Sequence, residues 1–435
     1  MYHFDRKEYE RRMKWFLDAR FGMFVHWGLY AIPARGEWVR CTEEMDKSDY
    51  MRYFYEFAPR FYDPAAWARA AKRAGMQYII LTAKHHDGFC LFDTATTDFK
   101  STNTKLGRDV VRDFVDAARA EGLHVGLYYS LIDWYHEDFP HYGDRQHPMR
   151  SRPDCTNEHR NFDRYLDYMH AQVRELCSNY GKIDIMWFDF SYDDMRGERW
   201  RASELVDMVR TLQPGIILNN RLECSGEGFG SLAERHPTPY HGDFVSPEKI
   251  IPPRGLFDPD GNPVYWEVCA TMNRNWGYCA TDNDYKSADM LIKKLVECVS
   301  KGGNFLLNIG PDANGAIPPR AAQTLDEIGR FMHFNAQSIY GCTKSDIPKP
   351  EWGRITQNGN MLYLHVYENT LGPLPLYGIP AQHIDSIRLL STGHEIPLSH
   401  SWVHSDYPDM AFADLGPDPT LADETDTVLQ LRWKE

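Results

Sequence analysis

The chain has 435 residues, which suits one large domain of about 250–350 residues plus a smaller one. Its composition, 43% hydrophobic and 25% charged, is that of a soluble globular protein. A formal net charge of −14 argues against a nucleic-acid backbone or an anionic membrane as partner and is compatible with a neutral substrate.

The N-terminal residues Met1-Tyr2-His3-Phe4-Asp5-Arg6-Lys7 contain no apolar stretch, so no signal peptide is expected. No run approaches the ~18 consecutive apolar residues of a membrane span. Nine scattered cysteines without C-x-x-C spacing read as free thiols in a reducing cytosol, so a cytoplasmic protein is expected. A homo-oligomer stays open.

From about Arg20 to Tyr340, strand-like runs alternate with helix-like stretches. The first run is Gly22-Met23-Phe24-Val25-His26-Trp27. Asp63-Pro64 opens a helix as N-cap and first turn, and Gly75 closes it. Tyr78–Thr82 is the next strand, followed by a helix over about Asp109–Ala120 ending at Gly122, then the strand His124–Tyr129. A helix over about Asn157–Tyr180 leads into Ile183–Asp189, and one near Ala202–Leu212 leads into Ile216–Asn220. The helix around Ser287–Ser300 leads into Asn304–Ile309.

This alternation predicts a parallel sheet wrapped by helices, and the number of units favours a (β/α)8-like barrel over residues 1–340. No G-x-G-x-x-G follows the first strand, which counts against a dinucleotide fold. The segment from about Glu223 to Trp266, rich in Gly, Pro and Asp, breaks the pattern and reads as a long functional loop. After Gly341 the runs become short and alternating, as in Met361–Tyr367, Ser386–Leu390 and Val428–Trp433, so residues 341–435 are expected to form a small antiparallel β-sandwich.

Barrel chemistry sits at the C-terminal ends of strands. Polar residues recur there: His26, then Lys84-His85-His86-Asp87, Tyr128 and Tyr129, Asp189, and Asn220-Arg221. Asp189 shares strand parity with Ile183, Ile185 and Trp187, which places a carboxylate at the top of an apolar face. Asp184 has the other parity, lies near the start of its strand and reads as structural. A metal site built on His85, His86 and Asp189 is disfavoured, because adjacent side chains diverge in an extended segment. Neither metal nor cofactor is expected.

Phe21-Gly22-Met23-Phe24-Val25-His26-Trp27-Gly28, Glu37-Trp38, Lys84-His85-His86-Asp87-Gly88-Phe89, Gly126-Leu127-Tyr128-Tyr129-Ser130, Trp187-Phe188-Asp189, Asn220-Arg221, Gly242–Glu248, Trp276-Gly277-Tyr278 and Ser300–Pro311 occur in order over roughly residues 10 to 340. Together they resemble the α-L-fucosidases of glycoside hydrolase family 29. The resemblance implies a retaining exo-glycosidase that releases terminal α-L-fucose from fucosylated oligosaccharides or glycoconjugates through a covalent intermediate. It implies Asp189 as nucleophile, Arg221 and Tyr128 beside it, and His26, Glu37, Trp38, His85 and His86 around the fucose hydroxyls. Trp276 would pack on the C5–C6 edge of the sugar. Val39 stands where the family often has Tyr.

A retaining glycosidase needs a second carboxyl about 5–5.5 Å from the nucleophile. Glu223, Glu227, Glu234, Asp243, Glu248 and Glu267 are the candidates. Glu248 fits the family pattern best, and Glu267 follows it. A related activity on galactosides or other fucose-like sugars is the alternative.

Overall fold

The computed structural model describes residues 4–226, 228–400, 406–417 and 420–434. Helix α1 (Arg6–Ala19) opens the chain, capped by Asp5, whose carboxylate accepts from Lys7 N and Glu8 N. It buries Tyr9, Met13 and Phe16, a stripe at helical spacing. Phe16 meets the rings of Tyr78 and Phe244 at 5.5 and 4.8 Å, so α1 packs against the end of the sheet where the strands begin.

Five parallel strands follow: β1 (Phe21–Val25), β2 (Tyr78–Lys84), β3 (His124–Ser130), β4 (Ile185–Asp189) and β5 (Ile217–Leu218). The short helices α2 (Val39–Thr42) and α3 (Lys47–Glu56) sit in the first connection. The covering helices are α4 (Pro64–Arg73), α5 (Val110–Ala120), α6 (Phe162–Asn179) and α7 (Ala202–Leu212). A hairpin of β6 (Leu256–Phe257) and β7 (Pro263–Val264) precedes β8 (Glu267–Thr271), α8 (Ala288–Val299), β9 (Asn304–Ile309) and α9 (Pro319–Asn335). The sheet runs β5-β4-β3-β2-β1-β9-β8. Nearly every residue of these strands is buried, which explains their almost unbroken apolar runs.

The (β/α)8-like reading holds, and the eighth stave lies in the segment expected to be loop. Phe244 bridges Asn219 in parallel, Val245 bridges Trp266, and Glu248 bridges Cys269. Residues 243–249 therefore span from β5 to β8. Pro247 has no N–H to give, so the ladder stays interrupted and the stave escapes a regular strand pattern. A Cβ on Gly242 would lie 2.6 Å from the Asn219 backbone, so this approach requires glycine. Asp243, a candidate acid, anchors the start of the stave instead. It is fully buried, accepts from Leu218 N at 2.9 Å and pairs with Arg12 at 2.6 Å and Arg210 at 3.3 Å. Burial opposes its charge, but the two guanidiniums hold its carboxyl below the usual range.

Two predicted elements start late. Helix α6 begins at Phe162, where Asn161 caps it through Asp163 N and Arg164 N. Strand β4 begins at Ile185, and Asp184 just before it braces the strand's entry: its carboxylate accepts from Val125 N at 2.9 Å and lies 2.5 Å from Lys182 Nζ. Its structural reading stands.

The C-terminal strands are β10 (Thr343–Lys344), β11 (Gly353–Asn358), β12 (Met361–Val366), β13 (Leu374–Leu376), β14 (Ile384–Leu389), β15 (Ala411–Ala413) and β16 (Thr427–Trp433). Five form an antiparallel sheet, β10-β11-β12-β16-β14, and β13 pairs with β15. Leu364, Val366, Leu429 and Leu431 from the large sheet share one core with Leu374, Leu376, Ala411 and Ala413 from the small one, a sandwich arrangement. Among the described residues no helix is long and apolar enough to cross a membrane.

Glu267 lies fully buried inside the barrel. Tyr78 Oη donates to it at 2.5 Å and Trp187 Nε1 at 3.3 Å. Burial pushes its carboxyl up to about 7, against the pull of those two bonds. A carboxyl raised in the folded state loses stability as pH climbs from its unfolded value near 4.5 through 7. Glu267→Gln, whose amide can accept from Trp187 and donate to Tyr78, should remove that dependence. Thermal unfolding at pH 5 and pH 8 should show the wild type losing up to about 3 kcal/mol relative to the variant. Parallel pH dependences would show that Glu267 does not bind its proton in the folded state.

Candidate active site

The C-terminal ends of the staves surround a cavity. Its floor comes from β1, β3 and β4: Phe24, Tyr128 and Trp187 are buried, with the Tyr128 and Trp187 rings stacked at 5.7 Å. Side-chain amides shape the wall above β4 and β5. Asn219 takes over the ladder by accepting from Phe188 N at 3.0 Å and donating to Phe188 O at 2.8 Å. Asn220 Oδ1 accepts from Ser246 N at 3.0 Å. These substitutions explain why β5 is only two residues long, and they free the backbone to turn Arg221 inward.

Arg221 is buried and joins two carboxylates. Its Nη1 donates to Asp189 Oδ1 at 2.7 Å and its Nη2 to Glu248 Oε2 at 3.2 Å. The guanidinium sits 4.5 Å from the centre of the Trp187 ring, and its remaining donors reach Ser246. Tyr128 Oη donates to Asp189 Oδ2 at 2.9 Å. Burial raises the Asp189 carboxyl above its ordinary range, opposed by Arg221 and assisted by the nearby charge of Glu248. Burial likewise works against the Arg221 charge, but Asp189 and Glu248 outweigh it and raise its pKa.

Three histidines line the cavity. Burial lowers His26 to about 3 and takes His85 and His86 well below the ordinary value, so all three are neutral near pH 7. Their neighbours fix two tautomers. Asn308 Nδ2 donates to Trp276 O, which turns its Oδ1 to accept from His26 Nδ1 at 2.6 Å. The Ser130 hydroxyl donates to Ile132 O, so it accepts from His86 Nδ1 at 2.8 Å. Nε2 of each ring is left as an acceptor. His85 Nδ1 is buried and finds no partner among the described residues. The His85 and His86 rings lie 3.9 Å apart, not divergent as extended chain would make them. The chain leaves β2 in a turn closed by Gly88 N donating to His85 O. No group of three or more His, Cys, Asp or Glu is placed to hold a metal among the described residues.

Of the ten residues expected from the sequence to carry catalysis or grip the sugar, nine line the cavity: His26, Trp38, His85, His86, Tyr128, Asp189, Arg221, Glu248 and Trp276. Glu37 stands behind it, where its Oε2 accepts from Trp276 N at 3.2 Å and Gly277 N at 2.8 Å and so fixes the Trp276 loop. Phe24, Trp187, Phe190 and Cys269 also line it. Phe24 and Trp187 could have been found by strand parity with His26 and Asp189, and Cys269 by parity with Glu267. Phe190 carried no such signal. Glu223 is tied within its own loop by Ser231 and Thr238, and Glu234 is exposed. Glu227 lies outside the described residues. A roomier cavity of about 580 Å3 lies between β8 and α8 and includes none of these ten residues.

The sequence profile described as Alpha-L-fucosidase matches residues 2–337. The rat tissue α-L-fucosidase is 30% identical over 353 residues, 75% of this chain and 69% of that protein. The structure of α-L-fucosidase isoenzyme 1 from Paenibacillus thiaminolyticus is 52% identical, with a TM-score of 0.95 over 98% of this chain and 100% of that one. A family 29 α-L-fucosidase from Bacteroides thetaiotaomicron, solved as a trapped covalent intermediate with 2-fluoro-fucosyl fluoride, is 26% identical with a TM-score of 0.82 over 98% and 96%. With a family profile spanning its barrel and relatives matched along nearly its whole length, this chain belongs to the α-L-fucosidase family, glycoside hydrolase family 29.

Proposed function

We propose that the chain is a retaining exo-α-L-fucosidase that releases terminal α-L-fucose from fucosylated oligosaccharides or glycoconjugates, with Asp189 as nucleophile and Glu248 as acid/base. The observation that carries the assignment is the single buried guanidinium bonded to both carboxylates. One guanidinium touching both groups keeps them close together, which supports the short carboxyl spacing, about 5–5.5 Å, that a retaining mechanism needs. Asp189 attacks the anomeric carbon as the glycosidic bond breaks, and Glu248 gives its proton to the departing oxygen. Glu248 then takes a proton from water, which attacks the same carbon and releases Asp189 with fucose in its original configuration.

The remaining residues supply recognition. Neutral histidines with free acceptors suit the hydroxyls of an uncharged sugar, and the Trp276 ring suits its methyl edge. The cavity takes all its residues from the part of the chain before residue 340, which supports the division into a catalytic unit, 1–340, and a supporting sandwich, 341–435. Nine free cysteines support a reducing, cytoplasmic setting.

Asp189→Ala should lower kcat at least about a thousandfold, roughly 4 kcal/mol of barrier, in a protein that still unfolds cooperatively. Azide should restore part of the turnover and yield fucosyl azide of inverted configuration. Near-normal activity would remove Asp189 from its role.

Glu248→Ala should cost natural α-fucosides about 100- to 10,000-fold in kcat/KM but spare 4-nitrophenyl α-L-fucoside at the first step, because nitrophenolate leaves without a proton. Azide should speed the second step and give a product of retained configuration. Should Glu267→Ala show this pattern instead, Glu267 is the acid/base.

Arg221→Met should raise the Asp189 carboxyl further, since the guanidinium is what opposes its burial. The acidic limb of kcat/KM should therefore move to higher pH, and an unmoved limb would disconnect Arg221 from the ionisation of Asp189.

A further inference from the structure

Phe190 follows Asp189 directly and has φ +85°, in the left-handed region that side-chain-bearing residues rarely adopt. It is the only aromatic residue with positive φ among the described residues. The conformation is imposed from both sides. Asp189 O accepts from Leu131 N at 2.8 Å, Ser191 N donates to Ser225 Oγ at 2.9 Å, and Ser191 Oγ donates to Arg221 O at 2.7 Å. Glycine would fit this backbone without strain. A phenylalanine held there points to a use for its ring.

That ring stands at the mouth of the cavity, half-buried, 4.9 Å from the His86 ring and 5.5 Å from Trp38, which is half-buried as well. Trp38 is braced in turn by Trp134 at 5.2 Å. A fucosyl unit with its anomeric carbon against Asp189 fills the buried floor. The group beyond the glycosidic oxygen must then leave through the half-exposed rim, where Phe190 and Trp38 present aromatic surface.

We propose that Phe190 is a specificity-determining residue, forming with Trp38 an aromatic wall for the leaving group and favouring a pyranose with an apolar C–H face. The proposal rests on the fucosidase reading above. An aromatic face gains contact with a sugar ring and gains nothing with a leaving group that has no ring.

The test compares kcat/KM on an α-L-fucosyl disaccharide with kcat/KM on α-L-fucosyl fluoride, whose leaving group is a single atom. The ratio is internal to each preparation, so partial misfolding of a variant cancels. Phe190→Gly and Phe190→Leu should lower the ratio about tenfold or more, mainly through KM for the disaccharide, while Phe190→Tyr keeps it. A ratio unchanged in Phe190→Gly, or lowered in Phe190→Tyr as far as in Phe190→Gly, would overturn the proposal. Failure of the fucosidase reading itself would look different: the wild type would cleave neither substrate.

Discussion

A charge buried at the top of the barrel organises the surrounding structure. The Arg221 side chain is only 3% exposed, and a guanidinium so enclosed is tolerable only when anions and acceptors surround it. Asp189 comes from β4, Glu248 and Ser246 from the interrupted stave, and Trp187 from one turn of the pleat below Asp189. Each of these elements is therefore held in register by the demand of one cation. The reverse also holds. Asp189 is buried beside a second carboxylate, and without Arg221 its carboxyl would be raised further.

The groups that follow β2 add little charge to the cavity. His85 and His86 follow β2, whose last residue, Lys84, is itself fully buried, yet Lys84 is neutralised by Asp133 at 2.9 Å. The histidines lose their protons to burial. His26 and His86 then act as oriented dipoles whose direction is set one bond further out, by Asn308 and Ser130. Such a site offers hydroxyl groups directed partners, while its charged groups, Asp189, Glu248 and Arg221, are largely matched to one another. The neutral-substrate reading drawn from net charge thus has a local counterpart in the cavity.

Parity and strand-end position made most of this site legible in the sequence. His26 and Asp189 stand where their strands end, and the residues two back, Phe24 and Trp187, form the floor with Tyr128. The eighth stave was not legible. Its bonds come from Asn219, Asn220 and Asp243 side chains as much as from backbone, and Pro247 breaks the alternation that a strand would show. The bonds from Trp276 N and Gly277 N to Glu37 were not legible either, since a contact across 240 residues is not carried by local pattern. The adjacent histidines misled for a related reason: a turn closed by Gly88 replaces the extended chain that their separation presumed.

Under the proposed assignment, the irregular stave also bears on how two like groups take unlike tasks. The side chain of Asp189 is 12% exposed and that of Glu248 37%, although both touch the same guanidinium. Asp189 ends a regular strand whose neighbour β3 accompanies it to the last residue, Ser130 pairing with Asp189. Its position is fixed, as suits a group that must meet one carbon along one line. Glu248 ends a stave with few ladder bonds, and the next residue, Lys249, turns away with φ +56°. A carboxyl on such a support sits at the mouth, where it can reach both a departing oxygen and an incoming water. Under the proposed assignment, the break in barrel regularity that hid the stave from sequence reading is what separates the acid/base from the nucleophile.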